Sequence, residues 1–121
     1  MARTAVAVEQ LLRDASVVQS AGTAIDVANG MSIDVGSQPG KYIIFVKNTF
    51  AGAKTVTFKA GVNPPAFRSG LGNLTESIAQ NATGMFQLEG ARFVQADGKV
   101  YLDFEAGTTG TVWAFKVASD L

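Results

Sequence analysis

The side chains best suited to chemistry in this sequence are carboxylates and aromatic rings, because the chain of 121 residues contains neither cysteine nor histidine. Asp103 and Glu105 stand two positions apart in an alternating run, so on a strand both carboxylates project from one face. A glycosidase pair needs two carboxyl groups on opposite sides of a cleft, and one strand supplies only part of that geometry. We therefore interpret them as a solvated strand face, paired across a hairpin with Arg92 or Lys99.

The sequence lacks the residue types and motifs that most other catalytic and cofactor sites require. Without cysteine and histidine there are no thiolate nucleophiles, imidazole bases or zinc sites built from those groups. No Asp-x-Asp-x-Asp loop for calcium occurs. The glycines of Gly70-Leu71-Gly72 lack the Lys-Ser/Thr of a phosphate-binding loop. We expect a protein that is not an enzyme and that has no catalytic residues, cofactor or metal site.

Aromatic side chains offer binding rather than catalysis. Trp113 and Phe115 share one face of the last predicted strand and are candidates for stacking on sugars or bases, although aromatic residues at this spacing more often belong to a core, which is the interpretation we favour. Phe67 stands beside Arg68 in a segment rich in proline and glycine. The Phe67 ring is equally suited to insert into a partner protein and to pack in the core of its own domain.

Charge and hydropathy narrow the class of partner. Ten Lys and Arg residues balance ten Asp and Glu residues, so no net field attracts nucleic acid or an anionic membrane, and we expect neither as a partner. No apolar run approaches the roughly 18 residues of a membrane span. The first nine residues contain too short an apolar stretch for a signal peptide. The expected place of synthesis is a cytoplasm.

The elements that position these side chains are strands. The most apolar run, Tyr42 to Val46, lies between two lysines and follows Pro39-Gly40, which predicts a buried strand over 41–48. The alternating run 54–59 then predicts the second half of a hairpin. Residues 4–8 are predicted as a short strand or an extended arm, and 1–9 as an extended N-terminal arm.

Two further hairpins are predicted, followed by a last strand. Asn29-Gly30, a strong signal for a type I′ turn, lies between the alternating runs 23–27 and 31–35. A second pair, 91–95 and 99–105, surrounds Asp97-Gly98 and places Tyr101 on the face opposite Leu102 and Phe104. The last strand covers 111–117, and a long Pro/Gly loop covers 61–74. The pattern predicts a single all-β domain over 1–121, an antiparallel, jelly-roll-like β-sandwich or barrel.

Three motifs carry a resemblance to a known class of protein. They are KAG-x-NPPA at Lys59 to Ala66, G-x-G-x-L at Gly70 to Leu74, and ARF-x-Q-x-DG-x-V-Y-x-DFE-x-G-x-TGTV-x-AF at Ala91 to Phe115. With them the chain resembles small proteins encoded in the structural gene clusters of tailed bacteriophages, in particular capsid decoration, or cement, proteins. The likeness covers most of the chain from about Thr23 onward.

The resemblance implies a virion protein on the outer surface of the phage head, assembled in the host cytoplasm. It would bind the major capsid protein as a homotrimer and stabilise contacts between capsid subunits. The residues expected to bind the capsid lie in the N-terminal arm and the long loop: Arg3, Thr4, Val6, Val8, Pro64, Pro65, Phe67, Arg68 and Leu71.

Two alternatives remain open. One is a tail or head–tail joining protein that assembles into a ring, and six-fold assemblies would distinguish it from three-fold decoration. A carbohydrate-binding β-module would use Trp113 and Tyr101 as its platform.

Overall fold

A computed structural model describes residues 3–36, 39–61, 72–88 and 90–117 of the chain. Ten strands dominate these residues, with a 3-10 turn at Pro39–Lys41 and a four-residue helical turn, α1, at Gly90–Phe93. The strands are β1 (Thr4–Ala5), β2 (Val8–Gln10), β3 (Thr23–Ala24), β4 (Met31–Asp34), β5 (Tyr42–Asn48), β6 (Lys54–Phe58), β7 (Leu74–Ile78), β8 (Thr83–Phe86), β9 (Lys99–Phe104) and β10 (Gly110–Lys116).

The strands form two sheets that pack as a sandwich and do not close into a barrel, which confirms the predicted all-β class. The first sheet has the order β1-β4-β9-β6-β7, and the second has the order β2-β10-β5-β8 with β3 also paired to β10. Most pairs are antiparallel, as predicted. The pairs β1–β4 and β2–β10 are parallel, so both sheets are mixed.

The core lies between the inner faces of the two sheets. Alternation along β5 and β9 places every second side chain there, as the period of a strand requires. Tyr101 accordingly faces away from Leu102 and Phe104, as predicted. The largest side chains that are almost completely buried are Phe58, Met31, Ile33, Ile44, Leu102, Val35, Val46, Val56, Val100, Val112 and Asn48.

The predicted hairpin between 41–48 and 54–59 is wrong, although both strands exist. β5 lies in the second sheet and β6 in the first, so the chain crosses between sheets after Asn48. The Asn48 amide holds this corner by donating to the carbonyls of Gly52 and Ile78, both at 2.8 Å. The side-chain oxygen of Asn48, Oδ1, accepts the Phe50 N–H at 2.9 Å. Buried polar groups need hydrogen-bond partners, and the Asn48 side chain has three only when the chain crosses to the other sheet. These bonds therefore stabilise the crossing rather than a tight hairpin turn.

The hairpin predicted at Asn29-Gly30 is also wrong. β3 pairs with β10 and β4 pairs with β9, so these neighbours in sequence belong to different sheets. A type I′ turn requires positive φ at both central residues, and only Gly30, with φ 72°, has it here. Asp26 organises the turn instead, since one of its carboxylate oxygens accepts the Asn29 N–H at 3.1 Å and its carbonyl accepts the Gly30 N–H.

The third predicted hairpin is half right. β9 forms as expected, but the run 91–95 begins in the helical turn α1 and contributes no strand. β9 pairs with β4 and β6 instead. The last predicted strand is confirmed by β10, whereas residues 62–71 of the long loop lie outside the described residues.

The described part of the predicted N-terminal arm is extended but does not project from the domain. β1 pairs with β4 of the first sheet and β2 pairs with β10 of the second, so this segment crosses from one sheet to the other. Val6, between them, is 5% exposed and belongs to the core. Its burial and the strand pairing on either side keep residues 3–10 within the sandwich.

Candidate binding surfaces

The outer face of the second sheet carries a row of large apolar side chains. Trp113 of β10 is the direct cross-strand partner of Phe45 in β5, and Phe45 is the partner of Met85 in β8. Because direct partners in neighbouring strands project on the same side of a sheet, the three side chains stand in line across three strands. We call Trp113, Phe45, Met85 and Phe115 the aromatic face.

The prediction that Trp113 and Phe115 belong to the core is wrong for Trp113, whereas Phe115 is buried, although on the outer face of the sheet. Val112 and Ala114 occupy the inner face of β10, and the two aromatic residues alternate with them on the outer face. Trp113 is half-buried, and Phe115 is 8% exposed. The Phe45 ring packs against Phe115 at a tilt of 64° with centroids 5.2 Å apart, a geometry that favours aromatic pairs.

A shallow cleft of about 520 Å³ opens on the aromatic face. Phe45, Trp113 and Met85 form its apolar part. Its polar part consists of Gln19, Ser20, Lys47 and Thr83. Such a cleft offers ring faces for stacking and a few hydrogen-bonding groups at its edge.

The segment 11–22 forms a loop whose two ends are held at the aromatic face. The Leu11 N–H donates to the Lys116 carbonyl at 2.9 Å. At the other end, Ser20 donates its N–H to Glu9 Oε1 at 2.9 Å and accepts the Trp113 indole N–H at 2.9 Å. Compact surface loops with closed ends are frequently functional. We call residues 11–22 the docking loop.

The docking loop exposes apolar side chains that the sequence reasoning did not select. Val18 is 88% exposed, Leu12 is 57% exposed, and Val17 is also exposed. Val8, in the adjoining β2, is also exposed. The available signal was that these apolar residues follow neither a helical nor a strand period, which is uncommon for side chains that a core would bury.

The outer face of the first sheet, which we call the polar face, is charged and internally paired. Arg3 Nη1 lies 2.7 Å from Asp103 Oδ1 and donates to the Leu102 carbonyl at 3.0 Å. The same guanidinium lies over the Tyr101 ring, 4.5 Å from its centroid. Lys59 Nζ lies 3.7 Å from the other oxygen of Asp103.

Asp103 and Glu105 do form a solvated strand face, but their partners differ from those predicted. Neither Arg92 nor Lys99 pairs with them among the described residues. Arg3 and Lys59 pair with Asp103, and Lys54 lies 3.3 Å from Glu105 Oε2.

Hydrogen bonds shift the ionisation of three groups on the polar face. The Thr55 N–H and, after it, Lys54 lower the pKa of Glu105 below its ordinary value. The Tyr101 hydroxyl donates to Asp97 Oδ2 at 2.6 Å. This bond lowers the pKa of Asp97 and raises the pKa of Tyr101, as expected when a hydrogen bond favours the ionised acceptor and the neutral donor.

The structure separates the residues of two predicted sites. Tyr101 lies on the polar face and Trp113 on the aromatic face, so they do not form one sugar platform. Of the expected capsid-binding residues, Arg3 lies on the polar face, Thr4 donates to Asp26 at 2.6 Å, Val6 is buried and Val8 is exposed. The other five, Pro64, Pro65, Phe67, Arg68 and Leu71, lie outside the described residues.

In ranges 3–36, 39–61, 72–88 and 90–117, no cluster of three or more acidic residues has the arrangement of a metal site. No helix in the same ranges has the length and apolar character needed to cross a membrane. No protein-family model, curated protein or solved structure matches the chain.

Proposed function

We propose that this chain is a non-enzymatic structural protein of a tailed-phage virion. In this proposal it is a capsid decoration protein that binds the outer surface of the head as a homotrimer and stabilises contacts between major capsid subunits. The resemblance of the three sequence motifs supplies the class. The observation that carries the proposal is the exposed apolar docking loop beside the aromatic face.

The docking loop supports binding to a protein surface in two ways. Its valine and leucine side chains expose apolar surface to water, and burial of that surface against a partner is favourable by about 25 cal/mol for each Å². Its ends are held by hydrogen bonds to β10 and β2. A loop that is already positioned loses less conformational entropy on binding than a free one.

Decoration of a shell also suits modest individual interfaces. A standard interface buries about 800 Å² on each partner. When a trimer attaches through three such contacts, the second and third become intramolecular, which raises the overall affinity without new contacts. The stiff sandwich would fix the positions of the three loops relative to one another.

The test is a double variant of the docking loop, Leu12→Asp with Val18→Asp, in sedimentation with purified heads of the phage that encodes the chain. We expect the fraction bound to fall at least tenfold, with the melting temperature of the free protein unchanged, because both side chains are exposed. Thr75→Asp, at an exposed position of the polar face, is the control and should bind like the native chain. Undiminished binding of the double variant would contradict the proposal.

The mass in solution separates this proposal from the ring alternative. Light scattering of the purified protein at micromolar concentration is expected to give a trimer. A hexamer would move the proposed role to the tail or the head–tail joint.

The cleft on the aromatic face favours carbohydrate binding as a second candidate. Trp113 and Phe45 supply ring faces, and Gln19, Lys47 and Thr83 supply polar groups beside them. Trp113 is the single tryptophan of the chain, so its fluorescence reports on this cleft alone. A saturable change on addition of neutral glycans would favour this candidate over decoration.

A further inference from the structure

The two sheets have free edges on the same side of the sandwich. Among the described residues, β7 pairs only with β6 and β8 pairs only with β5. The two edge strands face each other, since a Cβ placed on Gly84 of β8 would lie 3.1 Å from Ile78 Cδ1 of β7. We call this side of the sandwich the open side.

The edge of β8 presents backbone groups that can pair with another strand. The Asn48 N–H donates to the Ala82 carbonyl, so the pairs in step with this bond, Val46–Gly84 and Ile44–Phe86, are the hydrogen-bonded pairs of the antiparallel ladder between β5 and β8. Pairs of this kind alternate with pairs that lack hydrogen bonds. Thr83 and Met85 fall in the second kind, and their N–H and C=O groups point away from β5.

The sequence of β8 carries none of the usual protection of an edge strand. Lysine, proline and bulges commonly prevent exposed edges from pairing with other chains. β8 reads Thr-Gly-Met-Phe and contains neither charge nor proline. Its Met85 side chain is 72% exposed. As far as the described part of the chain shows, this edge is therefore open to strand addition.

Among the carboxylates in the described ranges, that of Glu76 faces the space that an added strand would enter. Glu76 is the cross-strand partner of Val56, which is buried in the core, so its side chain lies on the inner side of the first sheet. It has no hydrogen bond or ion pair among the described residues. A cleft of about 380 Å³ surrounds it, and the lining residues are Leu74, Ser77, Ile78, Gly84, Met85 and Phe86.

Charge and shape together select the kind of strand that fits. A strand paired with β8 would direct alternate side chains towards the first sheet, where Glu76 lies between the apolar side chains of Leu74 and Ile78. An acidic side chain in that strand would repel the Glu76 carboxylate. A fully apolar strand would remove water from this carboxylate without supplying a hydrogen-bond partner. A lysine or arginine would pair with it.

We propose that the edge of β8 binds an extended segment of a partner protein in which a lysine or arginine alternates with apolar residues, with the basic side chain paired to Glu76. The main-chain hydrogen bonds of the added strand supply affinity, and the cleft around Glu76 supplies specificity. This site goes beyond the proposed function and does not depend on it. It shares Thr83 and Met85 with the cleft on the aromatic face.

The test uses a capped peptide with the sequence TVTKTVT, labelled with a fluorophore and titrated with the intact protein in an anisotropy assay. The peptide TVTETVT differs only at the central charge. We expect TVTKTVT to bind the native chain at least tenfold more tightly than TVTETVT. The Glu76→Lys variant should reverse that order, because the charge at the cleft is reversed.

A backbone variant separates strand addition from simple charge attraction. Met85→Pro removes the outward N–H of an edge residue, a place where proline is tolerated because that N–H makes no bond within the sheet. We expect this variant to keep its melting temperature and to lose binding of TVTKTVT at least tenfold.

Three results would overturn the proposal. They are equal affinity of both peptides for the native chain, full binding by Met85→Pro, and no binding of TVTKTVT up to millimolar concentration. A protein that dimerises with rising concentration, and stops doing so as Met85→Pro, would show that a second copy of the chain occupies the edge instead.

Discussion

The two outer faces of this sandwich differ in how much of their binding capacity is already used. On the polar face, the carboxylates of Asp103, Glu105 and Asp97 each have a partner within the chain. On the aromatic side, the Leu11 N–H and the N–H and carbonyl of Ser20 are paired, but the apolar side chains of Val18, Leu12 and Met85 remain exposed.

This difference indicates which of the two faces is better suited to bind a partner protein. A new ionic contact on the polar face would compete with existing ones, and exposed ion pairs contribute only about 0–1 kcal/mol each. Burial of the exposed apolar side chains on the other face does not require an ion pair to be broken. The docking loop and the aromatic face are for this reason the better candidates for an interface.

The largest expected effect comes from Gly22→Ala, which breaks the link between the docking loop and the aromatic face. Gly22 has a φ of 80°, and a Cβ there would collide with Thr111 and the Trp113 indole. We expect a loss of about 3 kcal/mol in the free energy of unfolding, from the strained φ and the overpacking together. Urea unfolding followed by Trp113 fluorescence measures it.

Gly36→Ala is the matched control for that variant. Gly36 has a φ of 56°, and nothing lies within 4 Å of an added Cβ, so only the conformational strain of about 1 kcal/mol applies. Iodide should quench Trp113 more strongly in Gly22→Ala than in Gly36→Ala, since the indole loses its cover. Equal stability of the two variants would show that the loop is not held at this face.

A smaller effect is expected on the polar face, where two cations share Asp103. Arg3→Met removes a 2.7 Å ion pair, a bond to the Leu102 carbonyl and the stacking on Tyr101. We expect it to cost about 1–1.5 kcal/mol of stability. Lys59→Met removes only a 3.7 Å pair and should cost about 0.5 kcal/mol or less.

A double-mutant cycle with Asp103→Asn isolates the two pairings. The coupling energy of Arg3 with Asp103 should exceed that of Lys59 with Asp103, and added salt should reduce the second more strongly. Equal coupling energies would contradict the view that Arg3 organises the polar face.

The smallest expected effect is a dependence of stability on pH that comes from the polar face. The pKa of Glu105 is lowered in the folded protein from its ordinary 4.5. Its contribution to stability is therefore fully present above pH 4.5 and is lost as the pH falls through the lowered pKa. Native protein should be more stable than Glu105→Gln at pH 7, and this difference should shrink at pH 3. A difference that stays constant between these pH values would exclude Glu105 as a source of acid sensitivity.

Local sequence predicted strands well and their pairing poorly. β5, β6, β9 and β10 appear where alternation and turn residues place them, because side-chain period and backbone preference act within a few residues. The pairing failed at Asn48 and at Asn29-Gly30. At both places a side chain that bonds across the turn, Asn48 in one case and Asp26 in the other, directs the chain to the opposite sheet.

Sequence reasoning identified the exposed Val8 and the carboxylates of Asp103 and Glu105, but neither the docking loop nor the edge of β8. It also assigned Trp113 to the wrong side of β10. Both faces of that strand are apolar, since Val112 and Ala114 alternate with Trp113 and Phe115. Alternation therefore divides the residues into two sets without saying which set is covered by the other sheet.

The sequence by itself determined the all-β class, the position of the main strands and a chemistry without thiolate or imidazole groups. The tertiary structure decided which strands pair, which face of β10 is buried and which cation meets each carboxylate. The reason is the range of the forces involved. The alternation of apolar and polar side chains depends only on neighbouring residues. The contact of Arg3 with Asp103, in contrast, joins positions 100 apart in the chain and forms only when the strands have assembled.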